Sequence, residues 1–336
     1  MKKGCLVGFI VAIIFCTFSI ADFSWAAQYK FKIAHNMPAK KDAVFHLWCL
    51  KFKQLTEKYT NGAVAFQVFP AYQLGSTMDM AKKLQMGAID FQIGPANNFA
   101  ALYSGFDLFS LPFLMKSLEC GFAVMEDTAL REELSREAEK KANIRILAYS
   151  TPGMRNMMNG KHPILKPADL KGLRMRVAKN PIFLDTYKSL GGDPIGIAPN
   201  EVFSALQTGV ADGNDGGAAW AYAHKLYEVQ KYYSITNHQL VVGALIVNNQ
   251  LYQRLPAKIQ AAINRAADES AFYSRGWLLN FHDGLIKTFK EKGLQISYPN
   301  LEPFRKAVQP VWDKYADYVG GKQRIQKVLD LQKNCL

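Results

Sequence analysis

Apolar and polar residues near the start of the chain follow two different periods. Residues 29–35 and 63–69 alternate as half-buried strands do, and 89–93 is a short apolar run. Residues 42–59 and 77–86 instead repeat apolar positions every three or four residues, as one face of a helix does. The order strand, helix, strand, helix, strand predicts parallel strands joined by helical crossovers, and hence an α/β fold.

The same rhythm continues through the rest of the chain. It predicts helices over 119–143, 182–190, 200–207, 218–229 and 303–318, and strands over 144–149, 173–177, 240–247 and 294–298. Pro256 opens the longest helical stretch, which runs to about residue 292. With 336 residues the chain is long enough for two α/β lobes, and we place their boundary near residue 150.

The first residues have the pattern of a secretory signal peptide. Lys2 and Lys3 precede an apolar run over 6–21, and Ser24 and Ala26 are the small residues that cleavage after Ala26 requires. The run has 16 residues, fewer than the roughly 20 that a membrane-spanning helix needs. We predict a signal peptide over 1–26 and a periplasmic location; an uncleaved anchor is the alternative.

Export limits the partners that the net positive charge of the chain can serve. The chain has a formal net charge of +13, with 49% hydrophobic and 21% charged residues, as globular proteins do. Lys2, Lys3 and Asp22 belong to the signal peptide, so the exported part keeps +12. Because cytoplasmic nucleic acid is then out of reach, the excess favours an acidic small molecule as partner, or solubility alone.

Three cysteines remain after the signal peptide, at Cys49, Cys120 and Cys335. An odd number leaves two possibilities open, one disulfide plus a free thiol or three buried thiols.

The common catalytic motifs do not occur in the sequence. It contains no GxSxG, GxxxxGK[ST], GxGxxG, HExxH or CxxC, and no two of its six histidines have the i, i+4 spacing of a helical metal site. Their absence argues against an enzyme but does not exclude one, because catalytic triads assemble from distant positions. Our prediction is a protein that is not an enzyme, has no cofactor and has no identified metal ligand; whether a metal ion assists ligand binding is left open.

Two arginines have positions that suit anion binding. Arg155 follows a turn at 151–153, just after a predicted strand, and Arg176 lies in the alternating strand 173–177. A guanidinium at the end of such a strand can donate two hydrogen bonds to one carboxylate or sulfonate. The alternative is an arginine that is solvated or paired with a carboxylate, and we expect this of Arg174, which should face solvent.

Two segments resemble a known family. Residues 169–177 read DLKGLRMRV and 201–213 read EVFSALQTGVADG, which are similar to the signature of the DctP-type periplasmic solute receptors of TRAP (tripartite ATP-independent periplasmic) transporters. Shorter matches lie at 69–75, 111–114, 227–232 and 236–238, so that the resemblance covers about residues 29–320.

The resemblance implies a two-lobed periplasmic binding protein fold, with a ligand cleft between the lobes and a long connecting helix. Lobe I would comprise residues 27–150, with a segment near 240–250 returning to it. Residues 151–336 would hold lobe II, the long linking helix and the C-terminal helices. Such a receptor captures a small organic anion and delivers it to the membrane subunits of its transporter. The family's central ligand arginine falls on Arg176, and a second one on Arg155.

Departures from subfamily patterns bear on the ligand. Ser76, Pro95, Pro199 and Gly216 differ from what sialic-acid receptors have there, and residues 214–216 lack the Glu-Trp pair of metal-using keto-acid receptors. The resemblance implies a small organic anion as ligand, and we expect a C4-dicarboxylate, a related hydroxy or keto acid, or a small sulfonate such as isethionate. A secreted enzyme acting on acidic substrates and a stand-alone ligand sensor are the alternative functions.

Further candidate ligand-binding residues follow predicted strands, where loops of an α/β protein meet its ligand. They are His35, Asn36, Asn97, Asn98, Asn214 and Asp215. The asparagines are also ordinary turn residues, and Asp215 is equally suited to capping the next helix. Trp220 either forms a wall of the site or belongs to the core.

Overall fold

The computed structural model describes residues 27–335, so the predicted signal peptide lies outside the described residues. The chain forms two β-sheets with helices on their faces, and the predicted α/β fold is confirmed. In the described part, no helix combines the length and the apolar character that crossing a membrane requires.

The first sheet is built mainly from the first half of the chain. Its strands, in spatial order, are β2 (Val64–Phe69), β1 (Tyr29–His35), β3 (Phe91–Pro95), β10 (Gly243–Asn248) and β4 (Ile144–Ser150). Strands β1, β2 and β3 run parallel, as the crossover pattern predicts, whereas β10 is antiparallel to both of its neighbours. A segment that is distant in sequence therefore completes this sheet.

Four helices belong to the first half of the chain: α1 (Val44–Tyr59), α2 (Thr77–Gln85), α3 (Leu118–Glu126) and α4 (Thr128–Ala142). Short 3-10 helices cover Ala96–Phe99 and Ser104–Ser110. The single helix predicted over 119–143 is divided at Asp127, because that side chain accepts a hydrogen bond from the backbone N–H of Leu130 and caps α4.

The second sheet has six strands. Their spatial order is β11 (Gln295–Ser297), β9 (Tyr232–Leu240), β5 (Met154–Asn159), β8 (Gly213–Gly217), β6 (Arg174–Val177) and β7 (Asp193–Gly196). Its helices are α5 (Pro181–Ser189), α6 (Val202–Gln207) and α7 (Ala218–Ala223), with 3-10 turns at Pro167–Leu170, Pro199–Glu201 and Leu226–Glu228. The two central strands, β5 and β8, are buried along their whole length.

Two short links and one long helix join the lobes. The chain crosses from β4 to β5 and again from β9 to β10, with only a few residues between the strands. After α8 (Asn249–Arg254), helix α9 (Ala257–Glu291) packs on α1 and β4 of the first lobe and on α7 and β11 of the second. The predicted long connecting helix is thus confirmed.

The end of the chain returns to the first lobe. Helix α10 (Glu302–Ala307) packs its Phe304 into the core of the second lobe, whereas α11 (Gln309–Tyr315) and α12 (Lys322–Asp330) join the core of the first. A disulfide between Cys120 and Cys335 fixes this arrangement, and Cys49 is a buried free thiol. The predicted division assigns residues 151–336 to the second lobe, the linking helix and the C-terminal helices, and it does not include the packing of α11 and α12 on the first lobe.

Candidate functional site

A cleft between the two lobes contains both predicted arginines. Together with its open mouth it encloses about 610 Å³. Its polar lining residues are Asn36, Asn97, Asn98, Arg155 and Arg176. The first three follow β1 and β3, and the arginines lie on β5 and β6, so the cleft is where the loops of the first sheet meet strands of the second.

Apolar side chains form most of the remaining wall. They are Met37, Phe45, Pro95, Pro152, Ala178, Pro199, Trp220 and Val241, with Gly216 and Gly217 between them. Trp220 meets both expectations, because it lines the cleft and also packs against the core. The sequence gives no sign that Phe45 lines the cleft. Its position at the start of α1 fits the apolar face of that helix and so predicts a core residue.

Arg176 is buried and has only neutral partners. Its Nε and Nη2 donate hydrogen bonds of 3.0 and 2.8 Å to the carbonyl oxygen of Ile197, and Nη1 donates one of 3.3 Å to Asn214 Oδ1. Arg176 is 2% exposed, and among the side chains that the structure describes no carboxylate lies within ion-pair distance of it. Burial and the nearby charge of Arg155 lower the pKa of Arg176 to about 9, so the guanidinium is still positive at neutral pH.

Three of the five N–H groups of Arg176 are used in these bonds, which leaves one on each terminal nitrogen. Two adjacent N–H groups of a guanidinium match the two oxygens of a carboxylate. The site therefore holds a buried positive charge with free donors and no described carboxylate in direct contact with it, although the nearby Asp215 acts on it from a distance.

Arg155, in contrast, is paired. Its Nε donates to Asp215 Oδ1 and its Nη2 donates to the carbonyl oxygen of the same residue, both at 2.8 Å. The pairing arises because β5 and β8 are neighbours in the sheet. The two side chains are 9% and 1% exposed, and Arg155 also lies over the ring of Phe183.

Asp215 is held ionised by its surroundings. Burial opposes ionisation, but Arg155 and His238 hold the pKa of the Asp215 carboxyl well below its usual range. His238 Nε2 lies 3.1 Å from Asp215 Oδ1, and His238 Nδ1 lies 2.8 Å from the hydroxyl of Thr236. Asp215 is not among the cleft-lining residues and does not cap α7. The sequence predicts either a ligand contact or a helix cap for Asp215, and the structure instead pairs it with Arg155.

The other predicted residues divide into two groups. Asn36, Asn97 and Asn98 line the cleft, and Asn97 donates a hydrogen bond of 3.0 Å to Asn98 Oδ1. Asn214 Oδ1 accepts a hydrogen bond from Arg176 Nη1. Within the described chain, Asn36 Oδ1 and Asn214 Nδ2 are buried polar atoms without a hydrogen-bond partner.

His35 does not reach the cleft. Neighbouring residues at the end of a strand point in opposite directions, so only one of His35 and Asn36 can face the site. The His35 side chain is fully buried; its Nε2 lies 3.0 Å from His46 Nδ1, and its Nδ1 accepts from the backbone N–H of Met37. Burial, and after it the neighbouring His46, lower the pKa of His35 to about 3. His35 thus fixes the turn that presents Asn36 and Met37.

Arg174 is confirmed as a solvent-facing residue. Its Nε and Nη2 form a fork with the two carboxylate oxygens of Asp212, each at 2.9 Å, on the outer part of β6.

Two lobes, a long connecting helix and a cleft with a buried arginine define a two-lobed solute-binding protein. Residues 33–318 match the family model described as bacterial extracellular solute-binding protein, family 7, DctP. The chain belongs to this family, whose members serve as periplasmic receptors of TRAP transporters.

Characterised relatives cover most of the chain. It is 30% identical to the C4-dicarboxylate-binding periplasmic protein DctP of Rhodobacter capsulatus. The 295 aligned residues cover 86% of each chain. It is 29% identical to the 2,3-diketo-L-gulonate-binding periplasmic protein YiaO of Escherichia coli, over 75% of this chain and 76% of the relative.

Solved structures show the same two-lobed fold. A TRAP periplasmic solute-binding protein of Polaromonas sp. JS666 bound to D-erythronate matches with a TM-score of 0.84 and 28% identity, over 91% of this chain and 98% of that one. One from Roseobacter denitrificans with bound β-D-glucuronate matches with a TM-score of 0.83 and 26% identity, over 91% and 99%.

Proposed function

We propose that this protein is an extracytoplasmic receptor that captures a small organic anion and delivers it to the membrane subunits of a TRAP transporter. The observation that carries the proposal is the state of Arg176, a buried guanidinium with two free donors and no carboxylate partner in the described chain. An isolated buried charge is unfavourable, so a ligand that brings the opposite charge gains both an ion pair and hydrogen bonds.

The relatives support an anionic ligand. The ligands named for four of them, a C4-dicarboxylate, 2,3-diketo-L-gulonate, D-erythronate and glucuronate, are all acids. A C4-dicarboxylate, a hydroxy or keto acid and a small sulfonate are the classes that we propose for this chain. The signal peptide predicted over 1–26 supports a periplasmic location.

The position of the cleft suggests how binding works. Asn97 and Asn98 approach from the first lobe and Arg176 from the second. A ligand that contacts both lobes stabilises the closed arrangement over an open one, and the buried setting strengthens its bond to the guanidinium. Capture of this kind breaks no covalent bond, which agrees with a family made of transport receptors.

A thermal-shift screen tests the proposal. The mature chain is heated with a series of carboxylates and sulfonates and, as controls, with uncharged sugars of similar size. We expect at least one anion to raise the melting temperature, because a ligand at 100 times its Kd adds about 2.7 kcal/mol of stability. If only uncharged sugars stabilised the protein, the proposal would be wrong.

A further inference from the structure

We infer that the cleft selects a monoanion with a largely apolar body, rather than a dicarboxylate or a polyhydroxylated sugar acid. This inference rests on the proposed function and narrows its ligand class. It follows from the charge, the hydrogen-bonding capacity and the wall of the cleft.

The charge of the cleft matches one negative charge. Arg155 and Arg176 are the two charged residues among those that line it. Arg155 is already neutralised by Asp215, through one bond to the carboxylate and one to the backbone of the same residue. Only the charge of Arg176 is left for a ligand. A second carboxylate would be desolvated without a cationic partner, which is strongly unfavourable.

The hydrogen-bonding groups of the cleft are few and belong to asparagines. Asn97 Nδ2 donates to Asn98 Oδ1, which leaves Asn97 Oδ1 and Asn98 Nδ2 for a ligand. Asn36 Oδ1 and Asn214 Nδ2 are buried amide atoms without a partner in the described chain, and both residues are more than nine-tenths buried. The Nδ2 of Asn214 lies beside the guanidinium, because Oδ1 of the same amide accepts from Arg176. These groups can bond a hydroxyl near the acid group, but hydroxyls of a sugar acid that lie against the apolar wall have no partner there.

The part of the wall that meets the rest of the ligand is apolar. Phe45 and Pro95 come from the first lobe, Trp220 from the second, and Pro152 and Val241 from the two links between them. Placing hydroxyl groups against such a wall loses their bonds to water without replacement. Methyl or aromatic groups gain from the same contact.

Three 2-hydroxy acids of similar size test the inference, because they share the acid end and differ only in the body. 2-Hydroxy-3-methylbutanoate has an apolar body, malate a second carboxylate and erythronate additional hydroxyls. Isothermal titration of the mature protein with each should give an affinity for 2-hydroxy-3-methylbutanoate at least tenfold higher than for the other two.

The outcomes separate the two proposals. If malate or erythronate binds as tightly as the methyl-bearing acid, the inference of an apolar monoanion is overturned, while anion capture at Arg176 stands. If none of the three binds and no anion of the thermal-shift screen stabilises the protein, both the inference and the proposed function fail.

Discussion

Arg155 and Asp215 are 60 residues apart in sequence and form a buried ion pair, in which Arg155 Nε donates to Asp215 Oδ1 at 2.8 Å. The pair places a neutralised guanidinium beside Arg176, whose charge has no partner in the described chain. The chemistry of the cleft thus depends on which of its two arginines is paired.

Removing the charge of Asp215 tests whether this carboxylate neutralises Arg155. Asp215→Asn keeps the size of the side chain but leaves Arg155 buried without a carboxylate, and such a loss lowers the free energy of unfolding by about 3–5 kcal/mol. Urea unfolding measures the effect. Asp212→Asn is the matched control, since its partner Arg174 is half-exposed and water can solvate the guanidinium once the carboxylate is lost, and it should cost clearly less than Asp215→Asn.

The same variant should change ligand preference. With Arg155 no longer neutralised, the cleft has two free guanidinium charges, so the affinity for malate should rise relative to that for 2-hydroxy-3-methylbutanoate. Titration of folded Asp215→Asn with both acids gives the ratio. An unchanged ratio would mean that Asp215 does not set the charge of the site.

The distance in sequence between these residues also shows where prediction from sequence ends. Helix α9 is found within one residue at each end, because Pro256 and a sustained helical period mark it locally. Strands β5 and β8 read MRNMMN and GNDGG, and nothing in these letters indicates a strand. Both lie in the centre of a sheet covered on both faces, where alternation is lost.

Arg155, Asn214 and Asp215 are on these two strands. Turn positions and family resemblance could single them out, but only the adjacency of β5 and β8 decides which residue pairs with which. The orientation of His35 depends in the same way on His46, which is on a different element.

Asp107 should make stability depend on pH. It is buried and accepts hydrogen bonds from Ser110, Asn180 and Tyr318, which are all neutral. Burial outweighs these bonds and raises the pKa of the Asp107 carboxyl to about 6. The folded state then keeps a proton that the unfolded chain releases near pH 4, so the contribution of Asp107 to stability falls as pH rises from about 4 to 6, by up to about 3 kcal/mol.

Comparison with Asp107→Asn isolates this contribution from those of other groups. The difference in unfolding free energy between wild type and variant should change over this pH range in favour of the variant. Asp193→Asn makes the same exchange at an exposed aspartate of β7 and is the control for an effect of the substitution itself. A difference for Asp107→Asn that stays constant with pH would contradict the raised pKa.

The disulfide should stabilise the fold without affecting the site. Cys120 and Cys335 are 215 residues apart, and a bridge that closes a long loop typically contributes about 2–4 kcal/mol. Reductant should lower the unfolding free energy by this amount and leave ligand affinity unchanged, because neither cysteine lines the cleft. Cys335→Ser should equal the reduced wild type and not respond to reductant; a further loss of stability in that variant would show that another thiol contributes.

Gly216 should be a sensitive position in the wall. A methyl group there would come within 3.0 Å of Asn214 Nδ2 and of the Trp220 ring, so the amide beside Arg176 or the indole must move. We expect Gly216→Ala to weaken ligand binding about tenfold. Gly196→Ala is the control, because its methyl group makes only ordinary contact with Lys179. Equal affinities for the two variants would show that Gly216 does not shape the site.

The most direct test of the account is titration of the preferred anion into Arg176→Ala and Arg174→Ala. The two arginines are on the same strand, and each change removes one positive charge, but only Arg176 is buried in the cleft. Loss of two charge-assisted hydrogen bonds should weaken binding to Arg176→Ala by well over tenfold. The affinity of Arg174→Ala should stay within about twofold of wild type. Equal affinities of Arg176→Ala and wild type would contradict the central claim that Arg176 binds the anion.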